Sequence, residues 1–360
     1  MSEKFNRKRL YRALGLMSGT SLDGLDLCAV EFRFDKSWQF EIINTATLPY
    51  SAAWQQKLSY KKLSAEALLE LNHQYGVYLA EMSQSFLEKH KITVDFIASH
   101  GHTWFHQPEK SITYQLGCGP EIAAITNKTA VTNFRIGDVI LGGQGAPLVP
   151  IGDRDLFPQH EACLNLGGFA NISFDKDGDR IAFDICPLNI ALNFYCQKLG
   201  LPYDDGGTIA ATYPFDEGLV AELNALDFYQ RAAPKSLGIE WVQQEIFPLI
   251  KKYNISLEVI ISSLSEHSAQ QISNCLTSNK INNCLLSGGG ALNEHLVDRI
   301  SFLSAKSISL ASTEVLHFKE ALIFAYLGLL ALENQVNILS SVTGAKMDHC
   351  GGHIYKANSI

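Results

Sequence analysis

One hydroxyl-rich stretch near the start of the chain combines side chains that bind phosphate and metal ions. Residues 15–26 read GLMSGTSLDGLD and place the hydroxyls of Ser18, Thr20 and Ser21 beside the carboxylates of Asp23 and Asp26. The hydroxyls and backbone N–H groups of such a turn can bind phosphate oxygens, and an aspartate can hold Mg²⁺ through water. The same residues also suit a structural hairpin, in which the hydroxyls bond to the turn amides.

The segment after this stretch excludes two familiar phosphate loops. A P-loop carries a lysine and leads into a helix, and the dinucleotide-binding glycine turn also leads into a helix. Residues 25–34, LDLCAVEFRF, instead alternate as a β-strand does. The stretch therefore predicts a β-hairpin tip.

Two further glycine-rich stretches suit a bound nucleotide. Residues 165–173, NLGGFANIS, end a strand-like run in two glycines, where backbone can approach a ligand closely. Residues 285–293, LLSGGGALN, place three glycines between a strand and a helix, which leaves room for a flat ring or a phosphate beside the positive helix end. A tight turn is the alternative for the first stretch, and close packing is the alternative for the second.

Titratable side chains at the ends of predicted strands suit acid–base or metal chemistry. Asp184 ends the strand RIAFD, where it can act as a general base or simply cap a turn. His100, His102 and His106 in SHGHTWFH have a spacing open to zinc, but no carboxylate or cysteine is near, so binding of a polar ligand is favoured. Glu320 lies in an apolar helix, 314–335, either at its surface or reaching into a site.

The elements that must position these residues occur twice. Residues 13–50 predict strand, SGTS turn, strand, tight turn, strand, and residues 162–186 repeat that order about 150 residues later. Gly19 and Gly168 hold equivalent places. Helical spacing marks residues 63–90, 119–131, 216–231, 239–253 and 264–279. The glycine- and proline-rich segment 135–157 is the predicted crossing between two domains of one topology.

Composition narrows the class of protein. The chain has 360 residues, 46% hydrophobic and 18% charged, which fits two globular domains. A net charge of −8 argues against nucleic-acid binding and fits a soluble cytoplasmic protein with a small ligand. The N-terminus lacks the apolar core of a signal peptide, and the apolar run 321–332 is too short to span a membrane. Eight scattered cysteines without a CxxC pair predict reduced, buried thiols.

The motifs together resemble a known family. LMSGTSLDGLD is similar to the signature of the anhydro-N-acetylmuramic acid kinases, within the superfamily of sugar kinases and actin. The other matches follow in the family's order over residues 13–346: SHGHTWFHQP, GGQGAPLVP, NLGGFANIS, PKSLG, LSGGGALN, KEALIFAYLG and SVTGA. The resemblance implies an α/β fold of two actin-like, ribonuclease H-like domains with a central cleft. We expect domains at 1–150 and 151–345, with a tail, 346–360, that returns to the first.

The resemblance also implies a reaction and a site. Water opens 1,6-anhydro-N-acetylmuramic acid while ATP phosphorylates O6, which gives N-acetylmuramic acid 6-phosphate and ADP. Asp184 is the implied base, and Asp23 the implied Mg²⁺ contact through water. Implied sugar contacts are His102, Gln144, Asn189 and Glu320. Implied nucleotide contacts are Ser18, Gly19, Thr20, Ser21, Leu22, Asp23, Gly24, Leu25, Asn165, Gly167, Gly168, Asn171, Ser287, Gly288, Gly289 and Gly290.

One departure from the family keeps other functions open. Where the family reads DTGPGN, residues 184–189 read DICPLN, so Ile185, Cys186 and Leu188 add bulk beside the base. A kinase for another amino sugar is therefore one alternative. A nucleotide or muropeptide sensor is another, although a sensor needs no base. The family further implies a homodimer.

Overall fold

The computed structural model describes residues 10–19 and 22–357, which form two compact units. The first comprises the described residues up to Leu156 and those from Phe318 onward, and the second comprises Phe157–His317. Residues 318–345 thus group with the first unit, whereas the sequence-based boundaries assigned them to the second domain. The boundaries 1–150 and 151–345 stay a prediction for the domains as functional parts.

A six-stranded sheet forms the centre of the first unit, in the order β13-β7-β4-β1-β2-β3. Its strands are β1 (Leu10–Ser18), β2 (Gly24–Asp35), β3 (Ser37–Pro49), β4 (Phe96–Ser99), β7 (Thr129–Thr132) and β13 (His353–Tyr355). A separate hairpin pairs β5 (His102–Gln107) with β6 (Ile112–Leu116). The helices are α1 (Ala52–Leu58), α2 (Ala65–His90), α3 (Glu121–Thr126), α4 (Arg135–Ile140), α5 (Pro150–Leu156), α14 (Thr313–Leu332), which begins in the second unit, and α15 (Ser340–Thr343).

A five-stranded sheet forms the centre of the second unit, in the order β10-β9-β8-β11-β12. Its strands are β8 (Ala162–Leu166), β9 (Phe169–Lys176), β10 (Asp179–Pro187), β11 (Asn283–Ser287) and β12 (Ser307–Leu310). The helices are α6 (Asn189–Lys198), α7 (Thr208–Thr212), α8 (Glu217–Asn224), α9 (Asp227–Gln230), α10 (Ile239–Trp241), α11 (Phe247–Ile250), α12 (Leu257–Ser278) and α13 (Glu294–Ser304).

The two sheets share one topology. In each, the first three strands form an antiparallel meander, and the fourth and fifth pair in parallel on the other side of the first. The turn between the first and second strands holds Gly19 in one unit and Gly168 in the other. The predicted α/β class and the repeated strand–turn–strand order are both confirmed.

Two glycines bring helix α14 close to the first sheet. A Cβ added at Gly15 of β1 would overlap the carbonyl oxygen of Ala321, and one at Gly328 would lie 2.6 Å from the Cβ of Ala98. Any side chain at Gly15 would therefore push α14 away from β1. This close packing places Glu320, the residue before Ala321, beside the strand that leads into the first hairpin tip.

Helix α14 matches a membrane span in length and composition alone. However, 78% of its most apolar window is buried inside the protein, as in the core helix of a globular domain. The predicted buried helix is confirmed. The eight cysteines, all within the described residues, are free, and burial raises the pKa of Cys28 and of Cys186 to about 12.

Several predicted elements were wrong in extent. The single helix expected over 119–131 is α3 followed by β7, because Asn127 adopts a left-handed conformation (φ 51°) that ends the helix. The helix expected over 239–253 contains a π-helical turn, Val242–Ile246, before Pro248. Proline lacks the N–H that would continue the α-helical ladder. The hairpin β5–β6 and the short strands β12 and β13 were not predicted.

Candidate active site

The hydroxyl of Ser18, at the end of β1, belongs to a buried chain of hydrogen bonds. Tyr75 and Tyr50 share a hydrogen bond of 2.6 Å, and Tyr50 donates to the Ser18 Oγ at 2.8 Å. The Ser18 hydroxyl lies 3.0 Å from Nδ1 of His102, which also makes a backbone hydrogen bond with Leu58. Burial raises the pKa of Tyr50 to about 12, so its O–H remains a donor. These hydrogen bonds connect the end of β1 to α2 through Tyr75 and to β5 through His102.

This chain bears on two predicted contacts. The side chains of Ser18 and His102 are buried, with 2% and 3% exposed, and both bond to other residues of the first unit. Desolvation lowers the pKa of His102, which keeps the ring neutral. In this state the two residues position the hairpin tip, and their direct contacts with phosphate and sugar stay predictions.

The hairpin tip itself is a tight turn between β1 and β2. Leu22 has a φ of 61°, and its N–H donates to the carbonyl of Gly19 at 3.4 Å. A Cβ on Gly24 would lie 2.6 Å from the carbonyl oxygen of Leu48, so glycine allows β3 to pair closely there. Asp23 is exposed, whereas the side chain of Leu25 is buried in the core. Thr20 and Ser21 lie outside the described residues.

The histidines of SHGHTWFH hold loops together. His100 is buried; its Nδ1 lies 2.9 Å from the carbonyl of Gly101, and its Nε2 accepts a hydrogen bond from Arg135 at 2.9 Å. Burial, with Arg135 adjacent, holds the pKa of His100 well below its usual range. His106 lies 3.2 Å from the hydroxyl of Thr113. Among the described residues, no group of three or more His, Cys, Asp or Glu is arranged to hold a metal ion.

Asp138 joins two motifs that are far apart in the sequence. Its buried carboxylate accepts the N–H of Gly145, in GGQGAP, and the hydroxyl of Thr343, in SVTGA, each at 2.6 Å. Arg135 donates to the carbonyl of Gly145 from the other side. These bonds hold the loop that presents Gln144, whose side chain is exposed and whose N–H donates to the carbonyl of Thr343.

The carboxylate of Glu320 is reached by solvent but is closely surrounded by protein atoms and charged groups. Desolvation raises its pKa, while Lys319 and Arg135 act in the opposite direction. Lys319 is itself buried and lies 3.2 Å from Asp153 of α5. Titratable groups with perturbed pKa values concentrate at functional sites, so this arrangement fits a binding-site acid.

In the second unit, four predicted site residues form one polar row across the sheet. Asp184 of β10 lies opposite Asn171 of β9, which lies opposite Asn165 of β8, which lies beside Ser287 of β11. Residues paired in this way project from the same face of a sheet. The strand register therefore brings Asp184, two amides and a hydroxyl together on one face.

The predicted glycine turns lie at the end of this row. A Cβ on Gly288 would lie 2.5 Å from Oδ1 of Asn165, and one on Gly290 would lie 2.8 Å from the carbonyl oxygen of Leu166. Gly288 also has a φ of 83°, which few other residues adopt. Gly289 differs, because no atom lies within 4 Å of where its Cβ would stand. The turn therefore packs tightly at Gly288 and Gly290 and faces open space at Gly289.

The turn at Gly167 and Gly168 is hydrogen-bonded to the start of α6. The carbonyl of Gly168 accepts N–H groups from Leu188 and Ile190 at 2.9 and 3.1 Å. Asn189 donates its N–H to the carbonyl of Gly167 at 3.3 Å, and its side chain donates to the carbonyl of Leu166 at 3.4 Å. Asn189 thus couples the turn to the helix, and its contact with sugar stays a prediction.

A loop outside the sheet orients Asp184. Its Oδ2 accepts the N–H of Leu237 at 2.8 Å, and its own N–H donates to the carbonyl of Lys235 at 3.1 Å. Both partners belong to the PKSLG motif. Desolvation raises the pKa of Asp184, while the bond from Leu237 opposes the rise. A half-buried carboxylate with a raised pKa is suited to accept a proton.

The bulky residues of DICPLN are buried in the core. Ile185, Cys186 and Leu188 belong to the hydrophobic core of the second unit, and none is more than 3% exposed. The pairing of β10 with β9 shifts between Asp184 and Cys186, so that Ile185 is the extra residue of a bulge and Cys186 lies opposite Ala170. The added volume of these residues therefore lies in the core, and Leu188 packs next to the GGG turn, with its Cδ2 2.9 Å from where a Cβ on Gly290 would stand.

Sequence reasoning missed the residues that position the site. Arg135, Asp138 and Thr343 hold the Gln144 loop, and Tyr50 and Tyr75 hold Ser18. Arg135 and Asp138 lie just before GGQGAPLVP, and Thr343 lies within SVTGA. This nearness to two motifs was the only sequence signal for their role. The two tyrosines read as ordinary core residues.

Comparison with known proteins identifies related chains. The family model for anhydro-N-acetylmuramic acid kinase matches residues 11–357. A curated anhydro-N-acetylmuramic acid kinase from Coxiella burnetii is 34% identical over 96% of this chain and 97% of its own. One from Mannheimia succiniciproducens is 33% identical over 95% of this chain and 98% of its own.

Solved structures are similar at a lower level. The activator of 2-hydroxyisocaproyl-CoA dehydratase from Clostridium difficile, with bound ADPNP, has 12% identity and a TM-score of 0.45 over 90% of this chain and 96% of its own. A ROK family glucokinase from Streptomyces griseus, in complex with glucose and AMPPNP, has 10% identity and a TM-score of 0.42 over 88% of this chain and 98% of its own. These TM-scores are too low to carry a functional argument.

Proposed function

Since the chain belongs to the anhydro-N-acetylmuramic acid kinase family, we propose that it opens 1,6-anhydro-N-acetylmuramic acid with water and phosphorylates O6, in cell-wall recycling and amino-sugar catabolism. The products are N-acetylmuramic acid 6-phosphate and ADP. The polar row that Asp184 forms with Asn171, Asn165 and Ser287 is the observation that carries this proposal.

Asp184 is the base in this proposal. Its Oδ2 is held by Leu237, and we assign Oδ1 to the water that attacks C1 of the sugar. As the water oxygen bonds to C1, its proton passes to the carboxylate and the C1–O6 bond breaks. The electron pair of that bond stays on O6, which then bonds to the γ-phosphorus while the bond from that phosphorus to the β,γ-bridging oxygen breaks and ADP leaves with its electron pair. General-base catalysis of this kind contributes about 10²–10⁴-fold.

ATP supplies the phosphoryl group, and the glycine turns fit a nucleotide. The open space at Gly289 suits a flat ring or a phosphate, and the turns at Gly167 and Gly168 expose backbone close to Asn165. We assign adenosine to residues 287–291 and phosphates to residues 165–171. The hairpin tip, residues 18–25, is assigned to the β- and γ-phosphates. The exposed carboxylate of Asp23 is a ligand type that Mg²⁺ accepts through water.

Sugar recognition is assigned to four polar side chains. Glu320 and Gln144 are exposed and can accept or donate hydrogen bonds to hydroxyl and amide groups. Asn189 lies at the start of α6, close to the Gly168 turn. His102 takes part through the hydrogen bond that holds Ser18.

A product assay tests the proposal. Purified protein is incubated with ATP, Mg²⁺ and 1,6-anhydro-N-acetylmuramic acid, and the products are analysed by mass spectrometry. A sugar phosphate that contains one added water supports the proposed kinase. Parallel incubations contain other amino sugars in place of 1,6-anhydro-N-acetylmuramic acid. Phosphorylation of one of these sugars alone would indicate a kinase for a different amino sugar. Nucleotide binding without turnover of any sugar would indicate a sensor.

The setting of the enzyme is also a proposal. A net charge of −8 and a small sugar substrate fit a cytoplasmic enzyme without nucleic-acid or membrane partners. A homodimer is expected from the family. Light scattering coupled to size-exclusion chromatography distinguishes the dimer from the monomer of 39.8 kDa.

A further inference from the structure

A cavity of about 340 Å³ lies in the second unit, on the face of the sheet opposite Asp184. Phe183 lines it, and successive residues of a strand point to opposite faces, so Asp184 projects from the other side. The other walls come from further residues of β10, from β9, from α9 and the loop that follows it, and from the C-terminal part of α12. Sites for small ligands occupy about 300–1,000 Å³, so the volume suffices for a small molecule.

The walls of this cavity are aromatic and aliphatic. Phe174, Phe183 and Tyr229 contribute rings, and Ile181 and Ile185 contribute branched side chains. Flat apolar groups pack well against such rings, in stacked or edge-on arrangements. The inner surface therefore fits a ligand with a flat apolar body.

The rim of the cavity is cationic. Lys176, Arg231 and Lys235 line it, and its described lining contains no Asp or Glu. Lys176 and Arg231 are exposed, whereas Lys235 is half-buried, with its Nζ 4.6 Å from the centre of the Phe228 ring. Amide side chains of α12, Gln271 and Asn274, add further hydrogen-bond donors. An anionic group would meet three positive charges at this position.

The cavity is connected to the base through one short loop. Lys235 lines the cavity with its side chain, and its carbonyl accepts the N–H of Asp184. Two residues further, Leu237 donates its N–H to the Asp184 carboxylate. A group bound against Lys235 therefore acts on the segment that orients the base.

We propose that this cavity is a second binding site, for a small anion with a flat apolar body such as an aryl phosphate or carboxylate, and that the bound anion alters turnover through residues 235–237. This site goes beyond the proposed sugar and nucleotide contacts, none of which lines the cavity.

Phenyl phosphate is the probe for the test, and binding is measured by isothermal titration calorimetry. The protein is saturated beforehand with a non-hydrolysable ATP analogue, so that binding at the nucleotide site is excluded. We expect phenyl phosphate to bind under this condition. Inorganic phosphate and phenol should each bind at least about tenfold more weakly than phenyl phosphate. Phenyl phosphate should also change kcat at saturating ATP and sugar.

Charge-removal variants give the decisive comparison. Lys176→Gln with Arg231→Gln removes two exposed rim charges and should weaken phenyl phosphate at least about fivefold. The control, Lys251→Gln with Lys252→Gln, removes two exposed charges of the same unit outside the cavity and should leave affinity unchanged. Absence of binding at millimolar probe, displacement by the nucleotide analogue, equal affinity in both variants, or an unchanged kcat would overturn the proposal. The binding outcomes do not depend on which sugar is the substrate, and kcat is measured with whichever amino sugar the product assay shows to be turned over.

Discussion

Leu237 donates its backbone N–H to the carboxylate of Asp184 at 2.8 Å. Asp184 returns a bond from its own N–H to the carbonyl of Lys235 at 3.1 Å. The PKSLG motif thus flanks β10, the edge strand of its sheet, and sets the orientation of the proposed base. These two hydrogen bonds give the PKSLG motif, about fifty residues downstream of Asp184, a structural role beside the proposed base.

Replacement of the base should abolish most of the activity. We expect Asp184→Asn to lower kcat by about 10²–10⁴-fold, because the amide cannot accept the proton of the attacking water. Product formation is measured under saturating ATP and sugar. The matched control is Asp177→Asn, an exposed aspartate at the β9–β10 turn whose φ of 53° asparagine also tolerates. Equal kcat values for the two variants would remove Asp184 from the role of base.

The pH dependence should carry the signature of this carboxylate. A base is active when deprotonated, so kcat/KM should be high above the pKa of Asp184 and fall as the pH drops through it. Desolvation raises that pKa above the ordinary 3.8. The acidic limb of the kcat/KM profile should therefore lie above that of an exposed aspartate. An acidic limb no higher than that of an exposed aspartate would contradict the assignment.

Adjacent glycines of the GGG turn should respond differently to alanine. A methyl group at Gly290 meets the Leu166 carbonyl at 2.8 Å and Leu188 at 2.9 Å, so Gly290→Ala should destabilise the second unit. A methyl group at Gly289 meets no atom within 4 Å, so Gly289→Ala should fold normally and raise the KM for ATP by occupying the nucleotide's space. Thermal unfolding and ATP kinetics are compared for the two. An unchanged KM in Gly289→Ala would contradict nucleotide contact there.

A buried histidine should make stability depend on pH. His267 lies in α12, with Nδ1 2.7 Å from the Asn224 side-chain oxygen and Nε2 2.8 Å from the Tyr229 hydroxyl. Burial lowers its pKa from 6.5 to about 3. Between pH 6.5 and 3 this histidine is therefore protonated in the unfolded chain and neutral in the folded chain. This contribution is complete above pH 6.5 and declines by about 1.4 kcal/mol per pH unit as the pH falls toward 3.

The measurement for this histidine is the urea midpoint as a function of pH. Protonation of carboxylates also lowers the stability of the protein in acid. The wild type is therefore compared with His267→Gln, in which the side chain at position 267 does not titrate. The midpoint of the wild type should fall more steeply between pH 6.5 and 4 than that of the variant. Parallel curves would show that His267 does not contribute to the dependence.

Local patterns predicted the parts of the site that each strand end carries by itself. Asn165 and Ser287 lie at or next to the ends of their strands, as predicted, whereas β10 continues for three residues beyond Asp184, which was predicted to end it. The bulge at Ile185, which places Cys186 opposite Ala170, is not specified by the residue types alone. The sequence therefore indicated the members of the row, but neither their alignment across the sheet nor the burial of the bulky residues beside Asp184.

Contacts between segments that are far apart in the sequence could not be predicted from local patterns. Asp138 and Thr343 are 205 residues apart, and their hydrogen bond depends on the pairing of the C-terminal segment with β7. The Ser18 chain likewise needs α2 and β5 to meet at the end of β1. Propensity and periodicity report local structure, whereas these bonds follow from tertiary packing.

Oxygen-isotope tracing tests the central claim most directly. The reaction is run in H₂¹⁸O with ATP and 1,6-anhydro-N-acetylmuramic acid, and the products are analysed at once by mass spectrometry. The proposed mechanism places one ¹⁸O on the sugar at C1 and none in the transferred phosphoryl group, because water attacks carbon and O6 attacks phosphorus. Label in inorganic phosphate, with the anhydro sugar intact, would show that water attacks the nucleotide instead and would contradict the proposed reaction.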